Sequence, residues 1–157
     1  MKIAIACDHA GYQLKQIIID MVRKVGHDVL DLGTDNTDPV DYPYYAEKIG
    51  QAILKHDAER GIMLCGSGVG ACIALNKIYG IYAGLCHDTY SAHQCVEHDN
   101  VNVLCMGARV IGPEVASEIA ETFLNVHFIG NSPGEGRHLR RTNKIQKIEK
   151  VFPILSN

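Results

Sequence analysis

Hydrophobic residues along the chain fall into short runs that alternate with longer amphipathic segments. The short runs predict strands at residues 2–7, 29–32, 61–64, 81–86 and 103–106. Apolar residues at three- and four-residue spacing predict a helix at residues 13–25, and further helices are predicted at residues 43–56, 69–78, 87–98, 113–126 and 143–151. Short apolar strands that alternate with helices are typical of a parallel sheet covered on both faces. We therefore predict an α/β fold, a three-layer Rossmann-like arrangement in which helices flank a five-stranded parallel sheet.

The 157 residues show no internal repeat or low-complexity block, so we expect one domain over residues 1–157. Its last part, residues 129–157, is expected to be a basic, glycine-rich tail followed by a helix. The net charge of -3 and the pI near 6.2 argue against a nucleic-acid partner, which needs a basic surface. No apolar stretch approaches the ~18 residues of a membrane span, so no membrane partner is expected.

The cysteines agree with this picture. Because no targeting or membrane-spanning segment is visible, we expect a cytoplasmic protein, in which six cysteines do not form a disulfide framework. Cys7, Cys86 and Cys105 lie in or at the end of apolar runs, and we interpret them as small core residues.

A glycine-rich turn follows the predicted third strand, with the sequence CGSGVG at residues 65–70. Glycines at alternate positions allow the backbone N–H groups to face an anion, and the dipole of the following helix favours negative charge at the same place. The turn therefore combines an anion cradle with Cys65 as a potential thiolate base. The structural alternative is a tight turn around a buried cysteine.

Three better-known glycine turns do not fit residues 65–70. A Walker A loop requires a lysine directly after its last glycine, and no lysine follows here before Lys77. A dinucleotide fingerprint has the spacing G-x-G-x-x-G after the first strand, whereas this chain has G-x-G-x-G after the third. The cradle of the cysteine phosphatases, by resemblance to that family, would need an arginine where this chain has Ala71.

Asp8 and His9 follow directly after the first predicted strand. Ligands of parallel sheets bind at the carboxyl ends of the strands, and this rule gathers Asp8-His9, residues 33–42, the glycine turn and His87-Asp88 at one edge. A carboxylate and an imidazole there could handle a sugar hydroxyl and a phosphate. The structural alternative is that Asp8 caps the following helix beside an incidental histidine.

His98 stands at the end of the fourth predicted helix. Histidine is the side chain best suited to acid–base chemistry near neutral pH. The structural alternative is a surface histidine, which a helix C-terminus favours electrostatically. His93, Cys95 and His98 do not suggest a metal site, because residues 93 and 95 lie on different helix faces and no second Cys/His pair has zinc spacing. We therefore expect no metal.

Residues 137–141, with the sequence RHLRR, form the only dense basic cluster of this acidic chain. Arg137 and Arg141 are four residues apart, so they share a face if the segment is helical. Two guanidinium groups suit a dianionic phosphate. Arg109, just past the fifth predicted strand, could add to the same site from this subunit or from another. The structural alternative is a solvated tail.

Together these residues resemble the type B ribose-5-phosphate isomerases and the related galactose-6-phosphate and allose-6-phosphate isomerases, the ribose/galactose isomerase family. The resemblance covers nearly the whole chain, as an ordered series of motifs: DHAG at 8–11, VDYP at 40–43, CGSGVG at 65–70, NK at 76–77, His98, NVL at 102–104, GxRV at 107–110 and GRH at 136–138. It implies an enzyme without metal or other cofactor, which forms dimers or tetramers with active sites shared between subunits.

The resemblance also implies how the reacting groups would act. Cys65 would be the base that moves a proton between C1 and C2 of the substrate. Ser67, where the family usually has threonine, would assist proton exchange between the two oxygens. His98, with Asp8, would open the furanose ring. Backbone N–H groups of the turn would stabilise the enediolate; they belong to Gly66, Gly68, Val69 and Gly70.

The remaining substrate contacts are implied in the same way. Tyr42 would line the sugar pocket, and the phosphate would be held by His9, Arg137, Arg141 and a partner's Arg109. Asp99 stands beside His98 where the family commonly has asparagine. We place Asp99 at the substrate-binding edge without a catalytic role, because a carboxylate there would repel a phosphate or an enediolate. An insertion-like segment at residues 131–135 lengthens the tail before the arginines.

These expectations point to an enzyme that interconverts D-ribose 5-phosphate and D-ribulose 5-phosphate through a cis-enediolate, as in the non-oxidative branch of the pentose phosphate pathway. Two alternatives stay open. One is a hexose-phosphate isomerase of the same fold, acting on allose 6-phosphate or galactose 6-phosphate. The other is a phosphosugar-binding module without turnover, supported only by Asp99 and the altered tail.

Overall fold

The computed structural model describes residues 1–151, which are built around one five-stranded sheet. Its strands are β1 (Lys2–Cys7), β2 (Asp28–Asp31), β3 (Arg60–Cys65), β4 (Ala83–Leu85) and β5 (Val103–Gly107). They lie in the order β2-β1-β3-β5-β4, and each neighbouring pair is parallel. The predicted α/β fold with a five-stranded parallel sheet is confirmed. Residues 152–157, the end of the predicted C-terminal segment, lie outside the described residues.

Helices follow the strands along the chain. They are α1 (Tyr12–Lys24), α2 (Tyr42–Leu54), α3 (Val69–Leu75), α4 (Thr89–Glu97), α5 (Pro113–Asn125) and α6 (Gly136–Val151). Two predicted elements were too long, since α3 ends at Leu75 rather than at residue 78 and β4 is shorter than residues 81–86. The cause lies in Asn76, whose side-chain amide bonds both the N–H and the carbonyl of Ala83, at 2.9 Å each. These bonds tie the end of α3 to the beginning of β4.

The last helix begins seven residues before its predicted start at residue 143. The segment at residues 136–142 lacks a regular apolar stripe, so the sequence predicts a tail there and a helix only from residue 143. It contains no helix breaker, however, and arginine, leucine and lysine favour helix. Arg137 and Arg141 therefore do lie in one helix, on the same face.

The two faces of the sheet are filled differently. Along β1, Ile3, Ile5 and Cys7 pack with α1, α4 and α5, while Ala4 and Ala6 pack with α2 and α3. This alternation follows from the two-residue period of a strand. Cys7, Cys86 and Cys105 are fully or almost fully buried, as predicted. Burial raises the pKa of the Cys7 thiol to about 11. No helix in the described part of the chain is long and apolar enough to cross a membrane.

The topology fixes where a ligand would bind. From β1 the chain crosses to β2 on one side and then returns to β3 on the other, so the order reverses between β1 and β3. The loops that follow these two strands run in opposite directions, so a crevice forms between them at the carboxyl ends. Asp8 follows β1 directly and Cys65 ends β3, so both stand at this crevice.

Candidate active site

Cys65 ends β3 inside a tight turn. Its side chain is buried, and the Gly68 N–H donates to its Sγ at 3.1 Å. Gly68 has φ +81, a left-handed conformation that favours glycine, and it leads directly into α3. Ser67 is exposed, and its Oγ accepts from the Val69 N–H at 3.4 Å. A thiol and a hydroxyl thus flank the same run of backbone.

Tyr42, the first residue of α2, reaches this turn from the other side of the crevice. A Cβ added to Gly70 would lie 2.6 Å from Cζ of Tyr42 and 2.7 Å from its hydroxyl oxygen. Only glycine leaves room for that ring. The sequence-predicted sugar-pocket tyrosine therefore does stand against the glycine turn.

Arg109, two residues past β5, lies over the same turn of its own chain. Its N–H donates to the Gly66 carbonyl at 3.0 Å. A Cβ on Gly66 would lie 3.6 Å from Nη1 of Arg109. The residue is exposed, so the guanidinium group is available to an anion at the crevice. The structure thus places Arg109 beside Cys65 of the same chain, although the resemblance assigned it to a partner.

Asp8 and His9 approach from the end of β1. Oδ1 of the buried Asp8 accepts from the N–H groups of Ala10 and Gly11, at 2.9 and 3.0 Å. One oxygen of Asp8 is thus engaged by the loop before α1, but Asp8 is not the cap of that helix, because the N-cap is Gly11 and no side chain caps it. Nδ1 of His9 accepts from the Val40 N–H at 3.2 Å. A neutral His9 then carries its proton on Nε2, which can donate to an anion.

His87 received no role from the sequence, yet it supports this edge. Its Nε2 accepts from the Gly107 N–H at 2.9 Å. Gly107 is the register partner of Cys65, and a Cβ there would lie 2.7 Å from the Ser67 carbonyl. His87 thus holds the strand end that backs the glycine turn. The sequence feature that could have indicated this role is the position of His87 directly after a predicted strand.

A second group of predicted residues surrounds His98, which caps the end of α4. Its ring stacks on that of His138, with centroids 4.0 Å apart, and its Nε2 lies 3.2 Å from Oε2 of Glu97. His138 is buried, and burial lowers its pKa, with further contributions from His98 and Arg137. His138 is therefore protonated only at a lower pH than an ordinary histidine. Asp99, beside His98, is exposed.

Arg137 and Arg141 belong to this second group. Both are exposed on α6, and Nη1 of Arg137 pairs with Oε2 of Glu135 at 2.8 Å. The same Glu135 oxygen lies 3.4 Å from Nε2 of His138. The insertion-like segment before α6 thus supplies a carboxylate to Arg137, a contact that the sequence did not reveal.

The two groups lie at opposite ends of the strands. We call the side where the strands end the carboxyl edge and the side where they begin the amino edge. Cys65 is at the carboxyl end of β3, whereas α4 runs back against the strands and delivers His98 to the amino edge. Residues shortly after His98 lie at this amino edge. Asn102, just ahead of β5, accepts through its carbonyl from the N–H of Gly61, the second residue of β3, at 2.9 Å. Strands of five or six residues are about 16–20 Å long. Within one chain, the two groups of predicted residues therefore lie about one strand length apart.

Groups of three or more His, Cys, Asp or Glu side chains that could hold a metal ion are not found among residues 1–148, whose side chains the structure describes. The chemistry at the carboxyl edge is instead that of a thiol, a hydroxyl, backbone N–H groups and a guanidinium group. Such a set can move a proton and stabilise an oxyanion.

Known proteins are similar to this chain in sequence and in structure. The chain is 40% identical over 149 residues to ribose-5-phosphate isomerase B of Escherichia coli, covering 95% of this chain and 97% of that one. The structure of Clostridium thermocellum ribose-5-phosphate isomerase B matches with a TM-score of 0.92 and 42% identity, covering 97% of this chain and 99% of that one.

A third relative carries a ligand in its structure. Ribose-5-phosphate isomerase B from Mycoplasma genitalium, solved with bound ribulose-5-phosphate, matches with a TM-score of 0.87 and 38% identity, covering 95% of this chain and 96% of that one. The model of the Ribose/Galactose Isomerase family matches residues 3–145, which include both groups of predicted residues. This chain therefore belongs to the ribose/galactose isomerase family.

Proposed function

We propose that the protein is an aldose–ketose isomerase that interconverts D-ribose 5-phosphate and D-ribulose 5-phosphate through a cis-enediolate. The observation that carries the proposal is the turn at residues 65–70 in a chain of this family. A buried thiol, an exposed hydroxyl and a row of backbone N–H groups meet there at one crevice. An isomerisation of this kind needs one base, a hydroxyl-proton relay and an oxyanion site.

The proton transfer belongs to Cys65. As a thiolate, its Sγ removes the proton from C2 of the aldose and returns it to C1, so the same atom serves both directions. Ser67 exchanges protons between the two substrate oxygens. Backbone N–H groups of the turn at residues 66–70 that are not engaged by Cys65 or Ser67 hold the enediolate oxygens, a preorganised arrangement that acts where charge develops.

The sugar and its phosphate take the surrounding side chains. Tyr42, packed on Gly70, forms the wall of the sugar pocket. His9 donates from Nε2 to the phosphate, and Arg109 of the same chain adds its guanidinium group. Arg137 and Arg141, on one face of α6, give two further guanidinium groups suited to a dianion.

A second copy of the chain completes the site. His98, which opens the furanose ring, and the α6 arginines lie at the far edge from Cys65 in one chain. A homodimer, alone or within a tetramer, that sets the amino-edge group of one subunit against the carboxyl edge of the other would bring them together. Twofold symmetry would then give two equivalent shared sites. We place this cofactor-independent enzyme in the cytoplasm.

The test is conversion of ribose 5-phosphate to ribulose 5-phosphate by the wild-type protein and by Cys65→Ala. Loss of the base is expected to lower kcat by about 10²–10⁴-fold while substrate binding remains. Cys72→Ala is the matched control, since the Sγ of Cys72 donates to the Ala83 carbonyl at 3.4 Å and has no part in the proposed reaction; its turnover is expected to match wild type. Wild-type turnover in Cys65→Ala would contradict the proposed base.

Two further measurements separate the alternatives. The ratio kcat/KM for ribose 5-phosphate is expected to exceed that for allose 6-phosphate and galactose 6-phosphate. Incubation with ribose 5-phosphate in deuterated water is expected to exchange the C2 proton. Binding without exchange would instead identify a phosphosugar-binding module.

A further inference from the structure

Two thiols outside the proposed site lie next to each other. Cys86 directly follows β4, Cys95 lies in α4, and their Sγ atoms are 3.9 Å apart. Cys86 is 2% exposed, whereas Cys95 is only partly buried. The proposed isomerisation uses neither of them.

The pair is close because α4 packs directly on β4. Gly84 has no side chain, and a Cβ there would lie 3.4 Å from Sγ of Cys95. The start of α4 is fixed by Asp88, whose carboxylate accepts from the Ser91 N–H at 2.7 Å. A disulfide has an S–S distance of about 2.0 Å, so the two sulfurs need to approach by about 1.9 Å. Side-chain rotation of two neighbouring cysteines supplies movement on that scale.

The two thiols are not equivalent. Cys86 donates its S–H to Sγ of Cys95. This hydrogen bond lowers the pKa of Cys95 and, together with burial, raises that of Cys86. Cys95 is also the more exposed residue of the two. An attacking thiolate needs both accessibility and negative charge, so Cys95 is suited to react first and Cys86 second.

We propose that Cys86 and Cys95 are a redox-active dithiol that closes to an intramolecular disulfide when the protein meets a hydroperoxide. The Cys95 thiolate attacks the peroxide, the O–O bond breaks, and the departing oxygen takes a proton to leave as water or alcohol. Cys95 becomes a sulfenic acid. The sulfur of Cys86 then attacks that of Cys95, the S–O bond breaks, and hydroxide leaves as water with the Cys86 proton. Two thiols are oxidised and one peroxide is reduced.

The test is to map the disulfide in the wild-type protein after treatment with hydrogen peroxide and blocking of free thiols. No lysine or arginine lies between Lys77 and Arg109, so trypsin leaves three cysteines in one peptide. Added cleavage before Asp88 and Asp99 separates them into peptides 78–87, 88–98 and 99–109. The expected product links 78–87 to 88–98 and is lost on reduction. Oxidation of the protein without this link would overturn the proposal.

Single substitutions test the order of the two steps. With the second thiol removed, Cys86→Ser is expected to accumulate a sulfenic acid on Cys95, trapped by dimedone. Cys95→Ser is expected to give neither a cross-link nor a dimedone adduct on Cys86. Cys72→Ser, which removes another half-buried thiol, is the matched control and should form the cross-link as wild type does. A dimedone adduct on Cys86 would contradict the assigned roles. These readouts are covalent, so they do not depend on isomerase activity.

Discussion

Gly68 decides the shape of the turn around Cys65 by two separate constraints. Its φ of +81 disfavours any side chain, and an added Cβ would collide with Cδ1 of Leu85 and come within 3.1 Å of the Met106 backbone. Gly68→Ala is therefore expected to reduce the free energy of unfolding by about 2–4 kcal/mol, measured by denaturant titration. Gly134 has φ +84 but no atom within 4 Å of its added Cβ. Gly134→Ala is the matched control, with an expected loss of about 1–2 kcal/mol from backbone strain alone. Equal losses would mean that packing at the turn adds nothing.

The sequence could place the residues that directly follow strands. Asp8 and Cys65 were assigned to one edge because the carboxyl ends of parallel strands share that edge, and the structure puts both there. It could not give the contacts that depend on strand order. β5 lies between β3 and β4, so His87 after β4 meets Gly107 on β5. No local pattern encodes that neighbour, and the role of His87 was missed for this reason.

At the scale of elements, α6 shows where local patterns are weakest. The sequence predicts its start only at residue 143, because the first two turns of the helix lack apolar periodicity. What defines those turns is polar: the His138 N–H donates to the Glu135 carbonyl at 3.0 Å, and Glu135 pairs with Arg137. Such contacts involve charged residues whose partners cannot be identified from spacing alone. The helix, in turn, is what aligns Arg137 with Arg141.

His138 links this helix to the pH dependence of stability. Its pKa in the folded protein is lowered from the model-compound value of 6.5, mainly by burial. The unfolded chain therefore binds the proton more readily, and the free energy of unfolding is expected to fall as the pH drops below about 6.5. Above that pH both states are neutral at this residue, and its contribution is constant.

The measurement is the melting temperature between about pH 5 and pH 7.5 for wild type and His138→Phe. Removing the titrating ring is expected to make the acid limb, the fall of the melting temperature towards low pH, shallower. His127→Phe removes one exposed imidazole instead and is the matched control; its acid limb should follow that of wild type. A steeper acid limb in His138→Phe would show that the sign assigned to the buried ring is wrong.

At the scale of the whole molecule, the decisive fact is that the predicted site residues divide between two edges. Cys65 and Arg109 lie at the carboxyl edge, while His98, Arg137 and Arg141 lie at the amino edge, about one strand length away. The sequence of one chain predicts which residues suit one reaction. It does not predict that they lie at opposite ends of the strands. Only the direction of α4 and the position of α6 reveal the division. A shared site between two copies follows from this geometry if all of these residues serve one substrate.

Mixing two defective variants tests that sharing directly. Cys65→Ala damages the carboxyl-edge group and Arg141→Ala the amino-edge group, so each homodimer is expected to be nearly inactive at low ribose 5-phosphate. A heterodimer of the two has one site that carries both substitutions and one that carries neither. After unfolding and refolding together in equal amounts, half of the dimers are mixed, and activity is expected to return to about a quarter of wild type. Refolding each variant alone is the control and should restore nothing. If each chain instead built its own complete site, every site in the mixture would keep one substitution, and activity would remain at the level of the separate variants.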